Sequence, residues 1–184
     1  MSRALRFASG AALLSLVALL FLPIAPAAAE DDYNTCLGGS PVALDACTRV
    51  ILAPRSTREQ VGEAYIGRGQ HHYEKDEYDL AIEDFDRAVP LKPKWLQLAY
   101  GNRANAYFMK GDNEQAIDSY DKAIALDAGY TAAYTGRGLV YEKLGLIEKA
   151  RADFQAALKA HSIFHDEDWG KDTARKHLDQ TPEK

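Results

Sequence analysis

"YTGRGLVYEKLG", residues 134–145, opens on a Tyr-x-x-Arg-small pattern that also stands at "YIGRG" (65–69) and "YGNRA" (100–104). A catalytic motif is ordinarily used once, whereas one that returns at a fixed interval belongs to an architecture. The agreement runs well past the pattern. Sixteen residues after each tyrosine stands an alanine (Ala81, Ala116, Ala150), and four further on an aromatic (Phe85, Tyr120, Phe154). Three beyond that is alanine again (Ala88, Ala123, Ala157). The first alanines lie 35 and then 34 residues apart, a period that signals a solenoid built from one supersecondary unit.

Each unit divides into two helices. Tyr65, Gly69 and His72 fall at helical spacing, as do Tyr100, Ala104 and Tyr107, and Tyr134, Gly138 and Tyr141. In the second half Ala81-Ile82, Phe85 and Ala88-Val89 make an i, i+3/4, i+7 stripe, repeated by Ala116-Ile117, Tyr120 and Ala123-Ile124. The connections "EKDEY", "MKGDN" and "KLGLI" are short enough to fold the two helices antiparallel. Gly111 and Gly145 suit the left-handed residue that ends a helix. Asp76 and Asp112 are placed to cap the helices that follow, and "STRE" (56–59) is a capping-box pattern. Small residues let helices approach closely and the aromatics fill the space toward the next pair. One pair cannot cover its own apolar faces, so the units must stack.

The 184 residues are 47% hydrophobic and 27% charged, a composition of ordinary globular proteins. Residues 1–29 have the layout of a secretory signal: Arg3 and Arg6, the apolar "AALLSLVALLFLPIA", then a small-x-small site at Ala27 and Ala29. The apolar run is shorter than the roughly 20 residues a bilayer requires, so cleavage after Ala29 and no membrane span thereafter are expected. That removal takes two arginines and no acid, moving the formal charge from −5 to −7. Such an acidic chain lacks the clustered cations that general nucleic-acid binding needs. Cys36 and Cys47 in an exported protein are most simply a disulfide. A redox pair is the other reading, against which stand the ten residues between them, since redox thiols usually come as Cys-x-x-Cys.

Arg68, Arg103 and Arg137 share one repeat position and form a ladder. They could present donors to acidic peptide groups, or pair within the fold to Asp84, Asp118 and Asp153. Their place beside a small packing residue favours the structural reading. Signals for catalysis are absent: no Gly-x-Ser-x-Gly, no His-Glu-x-x-His and no phosphate loop. His161 and His165, with Asp166 and Asp168 nearby, lack a defined third ligand, so no metal and no cofactor are expected.

The repeated positions resemble the tetratricopeptide repeat (TPR): an aromatic, a small residue four later, an aromatic three after that, then Ala, aromatic, Ala and often Pro. Pro93 fills the last place in the first repeat, and Ala128 stands there in the second. Departures are His72 at an aromatic position, Pro90 within the last turn of a second helix, and arginine where the family often has leucine. The resemblance implies an all-α, right-handed superhelix of antiparallel helix pairs over 62–95, 97–130 and 131–164. Residues 30–54 would be a disulfide-secured partial repeat. Ser40 would cap its helix, Pro41 would open it, and Ala43, Cys47 and Val50 would hold the Ala, aromatic and Ala positions. Cys36 would pin the preceding loop, and 165–184 would hold a capping helix and tail.

What the resemblance implies for function is non-catalytic protein binding in a groove lined by the first helices. The matching positions are Ile66, Gln70, Tyr73 and Glu74, then Gly101, Asn105, Phe108 and Met109, then Thr135, Leu139, Glu142 and Lys143. Gln70, Tyr73, Asn105, Phe108, Met109, Leu139 and Glu142 are the candidate partner contacts. A carboxylate clamp of Lys and Asn residues, which some relatives carry, is not matched: Asn102 stands alone between Gly67 and Gly136. The expected role is an exported adaptor or assembly scaffold, periplasmic or extracellular. A chaperone-like holdase and an accessory subunit of a cell-envelope enzyme or secretion complex are the alternatives.

Overall fold

The structure, a computed structural model, describes residues 26–38, 42–161 and 167–180. Most of the signal-like segment, Ser40, Pro41, His165 and Asp166 lie outside the described residues. Among these residues there is no strand. The helices are α1 (Pro26–Leu37), α2 (Ala43–Leu52), α3 (Arg58–Glu74), α4 (Tyr78–Ala88) and α5 (Leu96–Lys110). They continue as α6 (Asn113–Leu126), α7 (Thr131–Lys143), α8 (Ile147–Lys159) and α9 (Glu167–Gln180). Successive helices pack on one another, and first helices also meet the next first helix, α3 on α5 and α5 on α7. This is an all-α repeat of helix pairs.

The repeated aromatics are its keystones. Phe85, Tyr120 and Phe154 are at most 1% exposed. Each lies on the small residue of its own pair's first helix. A Cβ on Gly69 would stand 2.7 Å from Phe85, and one on Gly138 would stand 2.6 Å from Phe154. Tyr120 also presses on the next pair, 2.4 Å from where a Cβ of Gly136 would be. Full burial of one such ring contributes about 2–3 kcal/mol, and only stacked neighbours provide it.

The N-terminal unit departs from expectation. Cys36 is not in a loop: it sits in the last turn of α1, so α1 and α2 form a complete helix pair. The stretch "EDDYNTCL" conceals this helix because it carries no apolar stripe. Cys36 and Cys47 are bridged and almost fully buried. Their sulfurs lie 3.3 and 3.4 Å from a Cβ built on Gly67. The disulfide thus fills, against α3, the place Tyr120 fills against α7. Arg49 on α2 clasps Asp32 on α1 at 2.6 Å, which holds the Asp32 carboxyl below its ordinary pKa.

Three local readings are corrected. The box that starts α3 is Thr57 with Gln60, one residue later than "STRE" predicts; Ser56 instead donates to the Val50 carbonyl at 2.6 Å. Asp76 caps nothing. It takes the left-handed turn position, φ 59°, that Gly111 (87°) and Gly145 (72°) hold in the following pairs. Glu77 and Asp112 precede α4 and α6 without a side-chain cap. Pro90 lies beyond α4, which stops at Ala88 and gives way to a 3-10 turn, Val89–Leu91. Proline has no N–H for the next helical bond.

Candidate partner-binding trough

On α3, Glu63, Ile66, Gly67, Gln70 and Glu74 recur at helical spacing and face one side. The C-terminal turn of α1 and the start of α5 close on that face. Leu37, Trp95 and Leu98 complete a cleft of about 220 Å³ whose inner wall includes Cys36. At one end it continues past Leu37, Glu63 and Trp95 to Tyr33, Glu59 and Lys94. At the other, Gln70 and Glu74 lead to Tyr73, Phe85, Asn102 and Asn105. The result is a trough along α3, bounded by α1 and α5.

Its charged groups are mostly acids, Glu59, Glu63 and Glu74 against Lys94. The Tyr33 hydroxyl donates to Glu63, which is 7% exposed, and burial together with that bond raises the tyrosine pKa. Glu74 is open, its side chain 57% exposed, with His71 Nδ1 3.5 Å away. The Lys94 ammonium stands over the Trp95 ring at 4.6 Å.

The structure sorts the predicted contacts. Gln70, Tyr73 and Asn105 line the same cleft, although the Asn105 side chain is fixed by the Tyr120 hydroxyl. Phe108 is half-buried against the cluster of Ala104, Tyr120 and Val140, under the Lys143 ammonium 4.8 Å from its ring. Met109 is exposed, away from the trough. Leu139 and Glu142 are taken by α9. Leu139 joins the cluster of Phe154, Ala174 and Leu178, and Glu142 meets His177 Nδ1 at 2.6 Å. Ile66 is buried, Gly101 backs onto Tyr130, and Thr135 donates to the Gly170 carbonyl. Leu37, Glu63, Trp95 and Leu98 were missed. The α3 spacing signals Glu63, but Trp95 and Leu98 precede the repeated Tyr100 and belong to no repeat position that stands out.

The arginines face the second helices. Arg68 Nε and Nη2 donate to Asp84 at 2.8 and 2.7 Å, and Nη1 reaches Thr48 on α2 at 3.2 Å. Arg137 donates twice to Asp153 at 2.7 Å and once to Asp121 at 2.5 Å, which together raise its pKa. Asp118 does not pair with Arg103; it takes Lys122 at 2.6 Å. The position equivalent to Asp84 and Asp153 is Ser119, which accepts from Arg103 Nε at 3.1 Å, and Asp86 takes Nη1 at 2.6 Å. Tyr65, Tyr100 and Tyr134 lie under the three guanidinium groups at 5.1–5.7 Å.

Among the described residues no three His, Cys, Asp or Glu side chains gather as a metal site, and no helix is long and apolar enough to cross a membrane.

Family models described as TPR repeat or tetratricopeptide repeat match residues 37–94, 104–145 and 131–160. A sequence comparison with curated proteins returns no match. Among solved structures, the chain is similar to the second TPR domain of human RPAP3 in complex with an HSP70 peptide, SGPTIEEVD. That likeness is 26% identical with a TM-score of 0.59, over 70% of this chain and all of that one. The Arabidopsis OM64 TPR domain is 25% identical with a TM-score of 0.56, over 66% of this chain and all of that one. MamA is 28% identical with a TM-score of 0.57, over 71% of this chain and 74% of that one.

Proposed function

We propose, from the premise that the chain belongs to the tetratricopeptide-repeat family, that it binds a segment of a partner protein in the trough between α1, α3 and α5. TPR domains among its structural relatives hold peptides of HSP70 and HSP90, which supports a protein-interaction module. The observation that carries the location is the continuity of the cleft from Glu59 past Gln70 to Asn105 across three first helices. Leu139 and Glu142 are not part of the proposed site, because α9 occupies their faces.

The module acts without catalysis, as an adaptor or assembly scaffold. Its place is outside the cytoplasm, with the periplasm favoured. The basic, apolar and small-residue segments of positions 1–29 and the buried disulfide support export. The arginine ladder is proposed as structural, since its donors turn onto residues of the same chain.

A photo-crosslinking residue at Gln70 tests the reading against one at Glu83 on the exposed face of α4. A partner adduct that forms from position 70 and not from 83 supports the trough. An adduct from 83 alone refutes it.

A further inference from the structure

We propose that the segment held in the trough is basic at both ends and apolar between, and about five residues long. This rests on the trough being the partner site. Charge is the first argument. Glu59, Glu63 and Glu74 line the trough, against the single ammonium of Lys94 and the His71 imidazole beside Glu74. Glu63 is buried with a neutral hydroxyl as its described hydrogen-bond partner, so a cation reaching it gains from the low dielectric there. Glu74 is open enough to take a guanidinium by both oxygens.

The spacing is the second argument. Glu63 and Glu74 stand eleven residues apart on α3, roughly 16 Å at 1.5 Å per residue. An extended chain covers that distance in about five residues. Between the two carboxylates the floor is Ile66 and Leu98, with Leu37 and Trp95 at the rim. It accepts one aliphatic or aromatic side chain between two cations. An acidic tail such as those seen in the RPAP3 complexes would meet like charge here and lacks a Lys-Asn clamp to receive it.

The test is selection of a displayed library of random blocked heptapeptides on the full chain, followed by fluorescence anisotropy of the enriched peptides. The proposal expects Lys or Arg at both ends of an apolar residue, and affinity that falls as salt rises. Glu74→Gln should weaken such peptides roughly two- to fivefold, the loss of one exposed ion pair. Leu37→Ser should weaken charge-free analogues as well. Enriched peptides that are acidic or indifferent to charge, yet still sensitive to Leu37→Ser, overturn the charge inference and leave the trough standing. Peptides insensitive to both substitutions overturn the trough itself, and absence of enrichment overturns both. Self-association abolished by Glu74→Gln would make the occupant a second copy of the chain and would also overturn the proposal.

Discussion

Arg137 and Asp153 meet through two parallel hydrogen bonds of 2.7 Å, and the same guanidinium reaches back to Asp121 in the preceding helix pair. One side chain therefore ties three helices, α6, α7 and α8. Arg137→Met leaves Asp153, which is 6% exposed, without its partner. The expected loss is about 2–4 kcal/mol, as for a mostly buried pair broken on one side. Arg103→Met should cost less, since Ser119 is neutral and Asp86 is solvated. Urea melts of the two variants compare them directly, and an equal or reversed order would refute the ladder's structural role.

Gly136→Ala puts a methyl 2.4 Å from the Tyr120 ring and hydroxyl, deep between two helix pairs. The ring is 1% exposed and its hydroxyl is held by Asn105, so a loss of about 1–3 kcal/mol is expected. At Gly67 the same change meets disulfide sulfur at 3.3 Å, and the expected loss is smaller. Thermal melts of both variants show which neighbour gives way.

Gly111 sits at φ 87° with nothing within 4 Å of an added Cβ. Gly111→Ala isolates backbone strain from packing and should cost about 1–2 kcal/mol. Asp76 already bears such a conformation in the first turn. A Gly111→Ala melt indistinguishable from the parent would remove the left-handed requirement from this turn.

The bridge closes a short loop between α1 and α2, with a sequence separation of 11. Chain entropy assigns it about 2–3 kcal/mol. Cys36→Ser with Cys47→Ser should therefore speed amide exchange in α1 and α2, leaving α5 to α8 protected. Mass-spectrometric exchange reads this segment by segment; uniform loss of protection along the chain would contradict it.

Burial is the largest cause raising the pKa values of Tyr33, Tyr73, Tyr120 and Tyr141. Their folded pKa values exceed the unfolded value of 10.0, so their contribution is intact below pH 10 and is lost as pH climbs above it. Tyr120, fully buried and kept neutral by the fold, adds a slope of about 1.4 kcal/mol per pH unit there, and the more exposed three add less. Urea midpoints between pH 8 and 11 should fall above pH 10, and Tyr120→Phe should flatten the fall.

Periodicity carried most of the architecture from Tyr65 to Ala157, because stacking imposes the same small and aromatic residues on every pair. It failed where the repeat is broken or replaced. The α1 helix escaped because a disulfide does the work of an aromatic, leaving Cys36 in a polar stretch. An acid near the stripe points Arg103 to Asp118, whereas the place equivalent to Asp84 and Asp153 holds Ser119. The trough was half legible: Gln70 and Tyr73 lie at repeat positions, but Leu37 and Trp95 meet them only through three-dimensional packing. Leu139 stands at a groove position in its own repeat, and only the packing of α9 covers it.

Contacts among the described helices run to the adjacent helix and the next but one, and no farther. Nothing in such a chain must close on itself, unlike a barrel or a sandwich. Another helix pair spliced between α6 and α7 would lengthen the molecule and leave the trough of α1, α3 and α5 untouched. The part that holds a partner and the part where a pair can be added are different, so length and recognition can evolve on separate accounts.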